Sequence, residues 1–224
     1  METYRKKLEK RSDNKMINIA LPKGRLGDKT IERITAGIPD LDIGDYGRNL
    51  TMEFPSLGMR FFLVKPWDVP IYVESGVADI GISGRDTILE RQVGVYELLD
   101  LDIGICKMAV AGYPETRLAG RIRVATKYPV IAREHYSKKG IDANIIKLNG
   151  SVELAPILGL SDVIVDIVES GKTLRANGLV VLEDIFPVSA RLIANKSSCK
   201  FKRKEIDRLV DVLAAKPNVR EEAI

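Results

Sequence analysis

Short apolar, β-branched runs recur along the chain, each separated from the next by a stretch with helical periodicity. The clearest runs span residues 17–21, 60–64, 78–83, 122–126, 144–148 and 162–168. Strands that are apolar on both faces are typical of parallel sheets covered by helices. The pattern therefore predicts an α/β fold, with helices near residues 28–36, 69–75 and 203–215.

Two strand-like segments, 104–112 and 189–196, interrupt the alternation because neither leads directly into a helix. They predict two hinge strands that connect two α/β domains. Domain I comprises residues 16–105 and 192–224, domain II comprises residues 106–191, and residues 1–15 form an N-terminal extension. The pattern alone leaves open a single continuous sheet with two edge strands.

The charge distribution argues against nucleic acid as a partner, although the net charge is +4 and the isoelectric point is near 9.0. The basic excess lies in residues 1–15 and 196–208, where Tyr4 and Phe201 are the only aromatic residues, too few to stack on successive bases. No apolar run reaches the roughly 18 residues of a membrane span, and the N-terminus does not resemble a secretory signal. We expect a cytoplasmic protein with free thiols at Cys106 and Cys199, and the only histidine, His135, at the surface.

Residues 162–179 carry the most informative chemistry. A predicted buried strand contains an acid, and a short polar loop with a glycine follows it and opens a helix. The glycine permits close backbone approach, hydroxyls add donors, and free N–H groups favour a phosphate. The alternative is a simple helix cap. This strand and loop predict a site for ribose 5-phosphate formed by Asp166, Glu169, Ser170, Gly171, Lys172 and Thr173.

Residues 153–174 resemble the signature of the ATP phosphoribosyltransferases. Further similarity lies at residues 20–25, 65–70, 74–86, 95–101, 125–129 and 147–156, and also at residues 189–198. The resemblance covers nearly the whole chain after Met16, whereas residues 1–15 do not match.

The resemblance implies a fold similar to the type II periplasmic binding proteins, with substrates in a cleft between the domains. The implied reaction transfers the phosphoribosyl group of phosphoribosyl pyrophosphate (PRPP) to N1 of ATP, the first step of histidine biosynthesis. Mg²⁺ would arrive with the substrates rather than on a protein site. Because little chain follows the last predicted helix, the short form is indicated. This form is a homodimer alone and forms a hetero-octamer with a regulatory subunit resembling histidyl-tRNA synthetase.

The resemblance also suggests roles for individual residues. It implies that cations from two loops face the phosphates and the leaving group, and that a second set binds ATP. The cations are Lys23, Arg25 and Arg48, and the ATP set is Asp68, Gly81, Ser83, Gly84 and Glu153. Each also has a structural alternative, namely surface cations, a helix cap at Asp68, a strand-end turn at the glycines and a capping box at Glu153.

Two other functions remain compatible with parts of the pattern. A phosphoribosyltransferase that acts on a free base would need the same phosphate loop. A non-catalytic ligand-binding protein with two lobes would show the same alternation of strands and helices. The matches outside the loop argue against the first, and the phosphate loop with no secretory signal argues against the second.

Overall fold

The computed structural model describes residues 16–44, 47, 49–118 and 120–215. Within them the chain divides into two compact units. Unit 1 is the chain up to Ser83, Gly94–Leu101 and the chain from Leu192, and unit 2 is Gly84–Val93 and Asp102–Arg191. The predicted extension, residues 1–15, lies outside the described residues, as does Arg48. No helix in the described ranges is long and apolar enough to cross a membrane.

The described residues form strands and helices that alternate along most of the chain. The strands are β1 (Ile17–Pro22), β2 (Thr51–Phe54), β3 (Met59–Val64), β4 (Ile80–Gly84), β5 (Tyr96–Asp100), β6 (Cys106–Gly112), β7 (Ile122–Thr126), β8 (Ala143–Lys147), β9 (Val163–Val168), β10 (Val180–Val188) and β11 (Ala190–Ala194). The helices are α1 (Arg25–Gly37), α2 (Val69–Glu74), α3 (Arg85–Arg91), α4 (Pro129–Lys138), α5 (Leu154–Ile157), α6 (Lys172–Ala176), α7 (Lys196–Phe201) and α8 (Arg203–Ala214).

The sheet of unit 1 has the strand order β2-β3-β1-β4-β11-β5. β1 is parallel to both neighbours, β3 and β4, whereas β2 is antiparallel to β3. Ile19, Leu21 and Phe61 are fully buried, as expected for central strands covered by helices. Gly37 at the end of α1 lets α8 approach closely, because a Cβ there would lie 2.6 Å from Val212 Cγ1.

The sheet of unit 2 has the order β10-β6-β9-β7-β8. β7 is parallel to β8 and β9, and β6 is antiparallel to β9 and β10. Val124, Val163 and Val165 are completely buried in the central strands. The two mixed sheets confirm the predicted α/β class, and the predicted strands 104–112 and 189–196 correspond to β6 and β11.

The compact units differ from the predicted domain bounds at residues 84–93 and 102–105, which the sequence placed in domain I. Hydrogen bonds to other parts of unit 2 give a physical reason for each of these two differences. Glu90 on α3 accepts hydrogen bonds from the Val130 and Ile131 N–H groups at the start of α4, with N···O distances of 3.0 Å. Ile103 O accepts from Ala190 N–H at 2.8 Å. His135 also differs from prediction, because its side chain is only 9% exposed.

A buried carboxylate fastens the C-terminal helices of unit 1 to its sheet. Asp79 is 4% exposed and accepts hydrogen bonds from Asn18 N–H at 2.7 Å, the Ser198 hydroxyl at 2.6 Å and the Lys202 ammonium at 2.7 Å. Lys202 also donates to Met16 O at 2.9 Å. These bonds connect the start of β1, the residue before β4 and helix α7, so they secure the return of the chain to unit 1.

We expect Asp79→Ala to lower the free energy of unfolding by about 3–5 kcal/mol, because it leaves a partly buried ammonium and an amide without their acceptor. Denaturant titration followed by circular dichroism measures this. Glu134→Ala is the matched control, because it removes an exposed carboxylate paired with Lys138 and should cost less than about 1 kcal/mol. Equal losses in the two variants would contradict a special role for Asp79.

Candidate functional site

In each unit, three parallel strands lie side by side. The strand that comes first along the chain is the central one in both cases. These trios are β3-β1-β4 in unit 1 and β8-β7-β9 in unit 2. In open α/β sheets, ligands bind outside the carboxyl ends of the strands, where the strand order reverses. In unit 2 this position lies between the residues after β7 and the loop after β9. In unit 1 it lies between the loop after β1 and the end of β4.

The predicted phosphate loop connects β9 to α6 at this edge of unit 2. Gly171 has a left-handed backbone with φ of +66°, a conformation that favours glycine. Leu174 and Val168 are buried on either side of the loop, whereas Glu169, Ser170, Lys172 and Thr173 are exposed. Ser170 Oγ accepts from Lys172 N–H at a long 3.4 Å, so a helix cap accounts for little of this loop. The loop is anchored at both ends and presents polar groups to solvent.

Asp166 lies on the same face of β9 as Ile164 and Val168, which belong to a buried apolar cluster. Its Oδ1 accepts from Ile167 N–H at 2.8 Å. Burial above all, with the nearby Glu153 and Asp86 carboxylates, raises the pKa of the Asp166 carboxyl to about 6, although the Ile167 N–H and Lys127 act to lower it. The structure therefore brings two predicted site residues, Asp166 and Glu153, into one electrostatic cluster.

Glu153 occupies the N-cap position of α5, yet its side chain makes no capping hydrogen bond. The capping-box alternative is therefore wrong for this residue. Asp68 likewise precedes α2 without a side-chain cap, so the cap alternative does not explain it. Both acids keep their predicted roles at the nucleotide as proposals.

The loop after β1 carries the predicted cations of unit 1. Lys23 N–H donates to Val64 O at 2.8 Å, and Gly24 has φ of +89° at the start of α1. The side chains of Lys23 and Arg25 are exposed. Gly27 was not singled out from the sequence. A Cβ at this residue would overlap Pro22 O, so only glycine lets α1 start this close to β1.

Lys23 and Asp68 both line a cavity of about 770 Å³ in unit 1. Further cations line the same cavity, namely Arg60, Lys65 and Lys202. Among the predicted residues of this unit, the structure thus places one cation and one acid around the same space.

The predicted ATP residues on and near β4 have structural reasons that the sequence could not separate from binding. A Cβ at Gly81 would lie 2.8 Å from methyl groups of both Val69 and Val73, so α2 packs directly on this glycine. Ser83 is buried. A Cβ at Gly84 would overlap Asp86 Oδ1. The nucleotide contacts of Gly81, Ser83 and Gly84 stay predictions.

Three residues at the candidate site in unit 2 were missed by sequence reasoning. Tyr128 donates its hydroxyl to Asp86 Oδ2 at 2.9 Å, and Lys127 lies close enough to Asp166 to lower its pKa. Burial and the Asp86 carboxylate raise the pKa of Tyr128 above its usual range. The only signal was their presence in the matched segments 125–129 and 74–86, because Asp86 and Tyr128 are 42 residues apart.

Among the described residues, no group of three His, Cys, Asp or Glu side chains is arranged to hold a metal ion. Cys106 and Cys199 form no disulfide bond with each other.

Comparison with solved structures first defines the class of fold. The substrate-binding protein of an amino acid ABC transporter is similar with a TM-score of 0.54 and 14% identity, over 89% of this chain and 92% of that one. The chain therefore has a periplasmic-binding-protein-like α/β fold, as predicted.

The family follows from closer matches. The family model of ATP phosphoribosyltransferase matches residues 65–215. The ATP phosphoribosyltransferase of Thermoanaerobacter sp. (strain X514) is 54% identical over 197 residues, 87% of this chain and 92% of its own. The ATP phosphoribosyl transferase (HisG:HisZ) complex from Thermotoga maritima contains a chain with a TM-score of 0.79 and 36% identity, covering 89% of this chain and 96% of that one. This chain belongs to the ATP phosphoribosyltransferase family, which confirms the resemblance.

The raised pKa of Asp166 predicts how the stability of the protein depends on pH. An acid whose pKa rises from 3.8 to about 6 on folding binds more protons in the folded state, so its ionisation destabilises the protein as pH rises from about 4 to about 6. We expect Asp166→Asn to be more stable than the wild type at pH 7.5 by about 1–2 kcal/mol, with the difference vanishing below pH 4. Denaturant titrations at several pH values measure this.

Asp162→Asn is a control with the opposite sign. The Arg123 guanidinium donates to Asp162 and lowers the pKa of that carboxyl, so ionised Asp162 stabilises the folded state. Its replacement should reduce stability at neutral pH and have less effect in acid. If the free energy of unfolding of Asp166→Asn changes with pH in the same way as that of the wild type, the raised pKa of Asp166 is contradicted.

Proposed function

We propose that this protein catalyses the transfer of the phosphoribosyl group of PRPP to N1 of ATP, giving phosphoribosyl-ATP and pyrophosphate as the first step of histidine biosynthesis. The carrying observation is the family match over residues 65–215, which includes the exposed loop after β9. The protein is thus a pentosyltransferase. Because ATP and PRPP are cytoplasmic metabolites, we infer that it works in the cytoplasm.

The phosphoribosyl group binds in unit 2 in this proposal. The 5-phosphate accepts hydrogen bonds from the backbone N–H groups of Ser170–Thr173 and from the Ser170 and Thr173 hydroxyls. Lys172 adds positive charge. The left-handed turn at Gly171 supports this role, because it leaves no side chain between the backbone and the ligand. Asp166 and Glu169 accept hydrogen bonds from the ribose hydroxyls.

A second set of residues binds ATP in this proposal. Asp68 accepts a hydrogen bond from the adenine amino group. The end of β4, with Gly81, Ser83 and Gly84, supports the nucleotide through its backbone, and Glu153 is a further acid of the ATP set. The absence of a capping bond at Glu153 supports its assignment, because this carboxylate is not used to start α5.

The chemistry requires charge stabilisation more than a strong base. Adenine N1 already has a lone pair, whereas the ribose gains oxocarbenium character as pyrophosphate leaves. Lys23 and Arg25, on the loop after β1, and Arg48 are the proposed cations for the departing pyrophosphate. We also infer that Mg²⁺ is required and arrives on the diphosphate, where it supplies additional positive charge.

The test is to mix the purified protein with ATP, PRPP and Mg²⁺ and to follow phosphoribosyl-ATP by absorbance and mass. The proposal predicts product and pyrophosphate in equal amounts. Product from adenine or another free base, with none from ATP, would favour a base phosphoribosyltransferase. Tight amino acid binding with no pyrophosphate release would favour a binding protein, which the fold similarity alone permits.

Variants of the loop test where PRPP binds. We expect Thr173→Ala and Gly171→Val to raise the KM for PRPP about tenfold or more while the KM for ATP changes little. A hydrogen bond to a charged group contributes roughly 1.5–3 kcal/mol, and valine is strained at positive φ. Thr173→Ser keeps the hydroxyl and is the matched control, with near-normal kinetics. Normal PRPP binding in folded Thr173→Ala and Gly171→Val would place the 5-phosphate elsewhere.

We further propose that the protein is a short-form enzyme whose histidine sensitivity comes from a second polypeptide. The similar chain in the Thermotoga maritima HisG:HisZ complex supports this proposal. The protein alone is then a homodimer, and with a regulatory subunit resembling histidyl-tRNA synthetase it forms a hetero-octamer.

The regulatory proposal predicts weak inhibition by histidine when the protein is alone and strong inhibition after the regulatory subunit is added. Initial rates with increasing histidine, with and without that subunit, measure the effect. Strong inhibition of the isolated protein, not competitive with either substrate, would place the histidine site within this chain and reject the proposal.

A further inference from the structure

Helix α3 carries two buried carboxylates that the reaction outlined above does not use. Asp86 and Glu90 are both 8% exposed, and their spacing of four residues places them on the same face of the helix. Glu90 accepts the Val130 and Ile131 N–H groups, which have no partner inside α4. One end of α3 is therefore bonded to the start of α4, immediately after the turn that follows β7.

The second carboxylate is bonded to that turn itself. Asp86 Oδ2 accepts the hydroxyl of Tyr128, which is only 2% exposed, at 2.9 Å. The other oxygen of Asp86 lies over Gly84, at the position where any larger residue would place its Cβ. This contact gives Gly84 a reason to be glycine, because a side chain there would displace Asp86 from Tyr128.

The turn between β7 and α4 is also hydrogen-bonded to β9, directly beside the candidate site. Tyr128 N–H donates to Thr126 Oγ1 at 2.8 Å, and the Thr126 hydroxyl donates to Val165 O at 2.6 Å. Val165 is the residue before Asp166. Lys127 lies between Thr126 and Tyr128, and its ammonium is close enough to Asp166 to lower that pKa. A continuous set of hydrogen bonds thus connects α3 to the position of Lys127.

We propose that Asp86 and Tyr128 are positioning residues for the phosphoribosyl half of the site, which hold the β7–α4 turn so that Lys127 faces Asp166 and the phosphates of PRPP. The inference rests on the proposed function and adds Lys127 to its cations. Asp86 and Tyr128 do not touch the substrate in this account. Their effect reaches it through Lys127, at the position where ligands collect in this type of sheet.

A purely structural pair would behave differently from a positioning pair. Loss of a structural hydrogen bond lowers stability and reduces the concentration of active enzyme, but it leaves the KM values of the folded fraction unchanged. Loss of a positioning contact changes the affinity for the substrate that the displaced group binds. The separation of the PRPP and ATP effects therefore distinguishes the two roles.

The test compares Tyr128→Phe and Asp86→Ala with a matched control, Tyr136→Phe. Tyr136 is also a buried tyrosine of unit 2, 1% exposed, but its hydroxyl has no hydrogen-bond partner among the described residues. We expect Tyr128→Phe and Asp86→Ala to raise the KM for PRPP about tenfold, with the KM for ATP within about twofold of wild type. Tyr136→Phe should leave both unchanged. The double variant should be no worse than Asp86→Ala alone, because both remove the same contact.

Calorimetric titration of PRPP into each variant gives a readout that is independent of turnover. Weaker PRPP binding in Tyr128→Phe than in Tyr136→Phe supports the positioning role even if the wild type makes no phosphoribosyl-ATP, so the two proposals fail separately. Unchanged PRPP affinity in folded Tyr128→Phe, equal losses for ATP and PRPP, or fully additive effects in the double variant would overturn the inference. If Asp86→Ala does not fold, Tyr128→Phe against Tyr136→Phe decides alone.

Discussion

The parallel pairing of one central strand in each unit is the constraint on which the candidate site depends. β1 lies between β3 and β4, and β7 lies between β8 and β9, so the loops after these strands emerge at one edge of their sheet. The central parts of these strands carry mainly buried apolar side chains. The polar residues that follow them are therefore concentrated at the edge, where Lys23 is exposed in unit 1 and the loop after β9 is exposed in unit 2.

In unit 2, the carboxylates near this edge differ in how well hydrogen bonds and nearby charges compensate their burial. Glu90 is compensated by two backbone N–H groups, and Asp86 by the Tyr128 hydroxyl. Among the residues that the structure describes, Asp166 is stabilised as a carboxylate by its neighbour's N–H and by the positive charge of Lys127, against burial and two other carboxylates. The carboxylate with the least compensation is the one at the candidate ribose position, which is where a ligand would supply the missing hydrogen bonds.

The sequence predicted the central strands well because burial on both faces leaves an unmistakable apolar run. It missed β2, β5 and β10, and all three are edge strands with mostly exposed or half-buried residues. The resemblance located the candidate loops, yet it could not separate packing from binding at Gly81, whose absent side chain makes room for α2. The Asp86–Tyr128 contact was beyond prediction because no local pattern connects residues 42 apart.

Hydrogen–deuterium exchange with and without PRPP tests most directly whether the loop after β9 holds the phosphoribosyl group. Exposed loop amides exchange quickly, and a bound phosphate would occupy their N–H groups. The account predicts that PRPP slows exchange in Glu169–Arg175 more than in any other segment, and that Thr173→Ala weakens this protection. Unchanged exchange in this loop at saturating PRPP, with protection confined to the loop after β1, would contradict it.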